Sequence, residues 1–174
     1  MEVKDGQLYI VHVHTKSWLG IDIRLFERIR YGKWSWSNHS ALLVQDNGVW
    51  YLYEANPKVM RTNWTVWQTM ANAAGKKYEI TIIPEKYHKK QLIKPSQLFA
   101  EQLNALLGDG YDYVDLLLYQ PIYLFFGLYI QDNNKTKFIC SRFVTCETNK
   151  VAEIFKETNI APAPVFEIMS NLQL

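Results

Sequence analysis

Residues 38–55 read NHSALLVQDNGVWYLYEA. Asn47-Gly48 is a hairpin signal, because the tight turns that match strand twist need positive φ at their centre and Asn and Gly tolerate it. The flanking runs are rich in Leu, Val, Trp and Tyr, as strands are. With Asp46 and Val49 bracketing the turn, Leu43 faces Leu52, Ala41 faces Glu54 and His39 faces Asn56. Alternate residues share a face, so His39, Ala41, Glu54 and Asn56 line one side. His39 and Glu54 become diagonal neighbours within side-chain reach. A slip of one residue would move the whole set to the other face, so the turn carries the reading. The face is otherwise largely apolar, and a lone buried charge is costly, so His39 and Glu54 are expected to pair. Such a pair is either a satisfied structural contact or a carboxylate that fixes the tautomer of a basic imidazole.

Outward from the hairpin, GQLYIVHVH and KKYEITIIP read as strands. SWLGIDIRLFERIRYG carries Trp18, Leu19, Ile21, Leu25, Phe26 and Ile29 at helical spacing and stops at Gly32. NWTVWQTMANAAG is a short helix with Asn63 to cap it and Gly75 to end it. KPSQLFAEQLNALLG is a helix begun by Pro95 and Ser96. GYDYVDLLLYQ begins another, and CSRFVTCETNKVAEIFKETN is the last long one. Strands and helices in blocks predict an α+β fold, a mostly antiparallel β-sheet packed against helices. The 174 residues suit a single domain, 1–174.

Both cysteines of the chain lie in KFICSRFVTCETNK, residues 137–150. On one helix Cys140 and Cys146 are separated by ~9 Å of rise and point to different faces, beyond disulfide reach. No CxxC or Cys/His metal spacing is present. Cys140, at the expected helix start, is therefore a core thiol or a nucleophile. If a nucleophile, the helix N–H groups would favour its thiolate, His39 would take its proton, Glu54 would orient His39, and the Cys140 N–H would face a developing oxyanion.

Composition narrows the classes. A net charge of +2 does not argue for nucleic acid. Residues 76–94 hold six Lys and two Glu, a solvated face. Aromatics reach 14%, enough for a Tyr-rich core or an aromatic-lined cleft. Leu116–Ile130 is apolar but shorter than the ~20 residues of a spanning helix and is interrupted by Pro121. It is expected to be a buried helix, with membrane-surface contact possible but not favoured. The start, MEVKDGQLYIVHVH, has no apolar leader; a cytoplasmic location is expected if the chain is complete, an exported one if a signal peptide has been removed. His12 and His14 share a strand face and could hold a metal, but no third ligand is apparent, so neither metal nor cofactor is expected.

The motifs SNHSALLV, YLYEANP, GYDYVDLL and FICSRFV, in this order, resemble the circularly permuted branch of the NlpC-type, papain-like cysteine peptidases. That branch includes the YiiX-like bacterial proteins and, more distantly, the lecithin:retinol acyltransferase family. IRLFERIRYGKWSWSNHSALL resembles the helix and loop that lead into its His strand, and the likeness runs from about Gly6 to APAPVFEIM. The resemblance implies a permuted papain-like fold with a six-stranded or similar antiparallel sheet, and Cys140 as nucleophile, His39 as base and Glu54 as third member. VHVHTKSW departs from it, where family members carry more Gly. Trp34 and Trp36, just before His39, are candidate walls of a substrate groove, or packing residues. Tyr111 and Tyr113 are packing residues first and cleft residues second. The expected function is a thiol hydrolase cleaving an amide in a small or cell-wall peptide. The alternatives are an acyltransferase or hydrolase of fatty acyl lipids, and a non-catalytic binding module on the same fold.

Overall fold

Five antiparallel strands form the central sheet: β1 (Tyr9–His14), β2 (His39–Asp46), β3 (Val49–Ala55), β4 (Val59–Asn63) and β5 (Lys77–Ile82). They lie in the order β4-β3-β2-β1-β5. The computed structural model describes residues 3–32, 34–89, 95–111, 137–156 and 162–173. The helices are α1 (Trp18–Tyr31), α2 (Trp64–Ala73), α3 (Pro95–Asn104), α4 (Cys140–Val151) and α5 (Pro162–Asn171). The protein is thus α+β, with an antiparallel sheet and helices on both of its faces.

The hairpin has the register its turn dictates. Asn47 and Gly48 take φ of 49° and 81°, and Asp46 pairs with Val49, Leu43 with Leu52 and Leu42 with Tyr53. That register sorts the strands into two apolar faces. Leu8, Ile10, Leu42, Val44 and Tyr53 pack with Phe99 of α3, Phe143 and Val144 of α4, and Val165 and Met169 of α5. Tyr9, Val11, Val13, Ala41, Leu43 and Leu52 pack with Trp64, Trp67 and Ala71 of α2. With both faces covered, the middle of β2 is a continuous apolar run.

Several elements differ from the sequence expectation. β4 was not expected; it returns after a cis Asn56–Pro57 bond and pairs Glu54 with Met60 and Ala55 with Val59. Gly110 and Tyr111, expected to begin a helix, form β6, which pairs in parallel with β7 (Lys137–Phe138). Tyr113 and Leu116–Ile130 lie outside the described residues. The cysteine helix ends at Val151, short of the expected run. Its last turn is closed by the Asn149 side chain, which accepts from the N–H groups of Ile154 and Phe155, while Ala152 turns extended and bridges His88. APAPVFEIMSN then supplies α5, with Pro162 at its first position, where a missing N–H costs nothing. Among the described residues no helix is long and apolar enough to cross a membrane.

α1 is built as its sequence suggests at both ends. Ser17 accepts from the Gly20 N–H, and Gly32, at φ 75°, donates to the Arg28 carbonyl. Its apolar residues do not all pack inward, however: Ile21, Leu25 and Ile29 are 51%, 44% and 54% exposed. α1 is tied down by Arg24, which donates to Ser35 O at 3.0 Å and lies 3.5 Å from His14 Nε2 of β1, and by close approach at Gly20. A Cβ on Gly20 would lie 2.5 Å from Asn38 Nδ2 and 2.6 Å from Thr15 Oγ1. Asn38 cannot step aside freely, because its side chain donates to Thr15 O at 2.8 Å and accepts from Thr15 N at 3.0 Å.

Gly20→Ala therefore sets two effects against each other. Helix propensity alone would stabilise by about 1 kcal/mol, whereas overpacking costs about 1–3 kcal/mol. The clash is with an anchored group, so net destabilisation is expected, read as a lower urea midpoint. An unchanged or raised midpoint would show that Asn38 yields without loss.

Candidate active site

Cys140 is the first residue of α4, and Ile139 before it is extended, at φ −85° and ψ 158°. α4 packs against the start of β2, which brings the thiol beside residues 39 and 40. Cys140 Sγ accepts hydrogen bonds from the backbone N–H groups of Ser40 and Ser141 and is hydrogen-bonded to the His39 imidazole. One donor is thus a strand amide and the other a first-turn amide of α4, where N–H groups have no intrahelical acceptor.

His39 opens β2, with Val13 as its cross-strand partner. The Ser37 hydroxyl donates to the His39 carbonyl at 2.9 Å and pins the strand's first residue. His39 Nε2 lies 2.8 Å from Glu54 Oε2, which leaves Nδ1 for the thiol. The other carboxylate oxygen, Glu54 Oε1, accepts from Trp67 Nε1 of α2 at 3.2 Å. The side chains of His39 and Glu54 are 14% and 8% exposed, and Cys140 is buried. The three residues therefore form a continuous thiol–imidazole–carboxylate chain, anchored at its far end by an indole.

Burial opposes charge on every member, and the partners reverse it. For His39, burial alone lowers the pKa; the negative charge of Cys140 and its hydrogen bond, followed by the hydrogen bond and charge of Glu54, leave it raised. For Cys140, burial alone raises the pKa; the His39 charge and hydrogen bond and the two backbone N–H groups leave it lowered. For Glu54, burial also raises; His39, then Lys76 and the Trp67 N–H, leave it lowered. These directions favour a charged thiol, imidazole and carboxylate over what burial alone would allow.

The remaining candidate residues have other surroundings. Asn56, placed by the sequence on the His39 face, lies beyond the end of β3; it is exposed, and its backbone N–H bonds to Lys58 O. Trp36 packs between His14 and Phe166, with ring centroids 6.0 and 5.5 Å away. Trp34 is exposed, with Arg24 and Arg28 over its ring. The Tyr111 backbone pairs with Phe138. Among the described contacts, none of these three meets the Cys140–His39–Glu54 chain. His12 and His14 are each committed separately. His12 Nε2 bonds Thr81 Oγ1 at 2.9 Å and His14 Nδ1 bonds Trp36 O at 2.7 Å. Among the described residues no group of three or more His, Cys, Asp or Glu could hold a metal. Sequence reasoning missed the Trp67 N–H and the Ser40 and Ser141 amides. Nothing in NWTVWQTM ties its second Trp to Glu54, and backbone donors carry no side-chain signal.

No protein-family model and no curated protein matches the chain. Among solved structures, it is similar to one described as the metalloprotein yiiX from Escherichia coli, at 16% identity and a TM-score of 0.44. The match covers 72% of this chain and 69% of that one.

The lowered thiol pKa predicts a pH signature. An ordinary thiol, with a pKa of about 8.5, loses thiolate about tenfold per pH unit below it. Alkylation of Cys140 by iodoacetamide should instead fall less steeply than tenfold per pH unit below about pH 8. It should also outpace Cys146, although Cys146 is the less buried of the two. Peptide mass mapping reads both rates; a Cys140 rate that falls with an ordinary thiol's slope would remove the ion pair.

Proposed function

We propose that this protein is a thiol hydrolase that works through an acyl-enzyme on Cys140. The observation carrying the reading is the Cys140–His39–Glu54 chain, with its 2.8 Å His–Glu contact and its thiol at a helix start. The Cys140 thiolate attacks the substrate carbonyl carbon. Negative charge moves to the carbonyl oxygen, and the backbone N–H of Cys140 is suited to stabilise it. Protonated His39 gives its proton to the leaving amine or alcohol as the tetrahedral species collapses. His39, now neutral, takes a proton from water, which attacks the thioester and releases the acid. Glu54 keeps the ring oriented and stabilises imidazolium, while Trp67 holds Glu54.

The order His, Glu, Cys along the chain supports placing it with the circularly permuted NlpC-type, papain-like hydrolases. A small or cell-wall peptide amide is the favoured substrate within that class.

Incubation with small activated amides and esters, followed by intact mass, tests this. A mass gain equal to the acyl group is expected, mapping to Cys140 and absent in Cys140→Ala. Turnover that survives in folded Cys140→Ala would overturn the assignment. Glu54→Gln keeps an acceptor but loses the charge. Turnover should fall ~10- to ~1000-fold, less than for His39→Ala or Cys140→Ala. Wild-type rates in Glu54→Gln would mean that the carboxylate charge has no part in catalysis.

A further inference from the structure

The exposed side of α1 belongs to none of the machinery above. Ile21, Leu25 and Ile29 follow one another at every fourth position, so they form one stripe about 12 Å long. Each is about half exposed, and Trp34, in the following loop, is 53% exposed. Arg24 and Arg28 flank the stripe on one edge, and their guanidinium carbons sit 5.6 and 5.4 Å from the centre of the Trp34 ring. Neither arginine has a carboxylate partner among the described residues. Ile21, Arg24 and Trp34 frame an open depression of about 400 Å³. Lys16, exposed, precedes the helix, and half-buried Asp22 lies on the opposite edge. Glu27 points inward and is buried.

We propose that this face of α1, with Trp34, docks on an anionic lipid bilayer. Contiguous exposed apolar surface marks an interaction site, and the charges choose the partner. A second copy meeting this face about a two-fold axis would set arginine against arginine. An anionic surface complements them. Apolar side chains on a convex helix face, basic residues at the edge and an indole beside them are the requirements of a helix lying in a membrane interface. The indole's apolar ring and N–H suit the headgroup level. The inference is independent of the reaction proposed above, since it uses no residue of the Cys140–His39–Glu54 chain.

Co-sedimentation of the full chain with vesicles tests it, using neutral phosphatidylcholine and the same lipid mixed with phosphatidylglycerol. Binding to the anionic vesicles is expected, weakening as salt is raised. Arg28→Glu should weaken it by at least about fivefold, the effect of one juxtamembrane basic residue. Ile21→Ser combined with Ile29→Ser should abolish it. Circular dichroism and melting temperature check that the variants fold, and the exposed Arg28→Glu serves where the double variant does not. Binding by Cys140→Ala should equal wild type, so this result stands or falls apart from catalysis. Three outcomes would overturn the proposal: no binding to anionic vesicles, equal binding to neutral ones, or binding unchanged in the variants. A dimer in sedimentation that the stripe variant converts to monomer would do the same, by assigning the face to a second copy.

Discussion

The hydrogen bond between Cys140 and His39 joins a helix start to a strand start, and the rest of the site is arranged so that it can carry charge. Two ionised groups out of water are unfavourable unless each finds further partners. Here burial works against charge on both. The Cys140 sulfur is met by two backbone N–H groups, from Ser40 and Ser141. The imidazolium is met by Glu54, and Glu54 by Trp67 and the charge of Lys76. Each link comes from a different element: α4, β2, β3 and α2. The chemistry is therefore a property of the assembled sheet and its two helix layers.

This explains what the sequence could and could not disclose. Asn47-Gly48 sets the turn, the turn sets the register, and the register puts His39 within 2.8 Å of Glu54. Those steps are local and obey a period of two, so they are legible in one sequence. Asn56 was misplaced because extending that period past Ala55 ignores the strand's end, where Pro57 interrupts it. β4, VMRTN, has no apolar–polar alternation, and β6 and β7, at two residues each, are too short for periodicity to declare them. Past the end of α4 the Asn149 side chain bonds the N–H groups of Ile154 and Phe155, contacts that leave no apolar signature in the sequence. Trp67 is a tertiary contact between α2 and β3, visible only when both are in place.

α1 shows a different kind of legibility. Its spacing marks a helix correctly, yet spacing alone does not say which side an apolar stripe faces. α1 approaches the start of the His strand at Gly20, where the absence of a side chain leaves room for Asn38 to bond Thr15. Those bonds hold the end of the loop that carries Trp34 and leads into His39. The helix whose outer face is apolar and basic thus packs, at Gly20, on the residue that immediately precedes His39.

Buried His12 of β1 and half-buried His39 of β2 show how neighbours decide the charge of an imidazole. His12 lies opposite Ser40, and His39 lies opposite Val13, on the other face of the sheet. Both rings are shielded from water. His12 has Thr81 as its hydrogen-bond partner, a neutral hydroxyl, and burial pushes its pKa down to about 3. His39 has the Cys140 sulfur on one side and the Glu54 carboxylate on the other, and the same burial is overcome. A low-dielectric site magnifies whatever charges are present and penalises a charge that has none. Burial alone therefore favours the neutral imidazole, as at His12. At His39 the opposite direction comes from Cys140 and Glu54, which together outweigh the same burial.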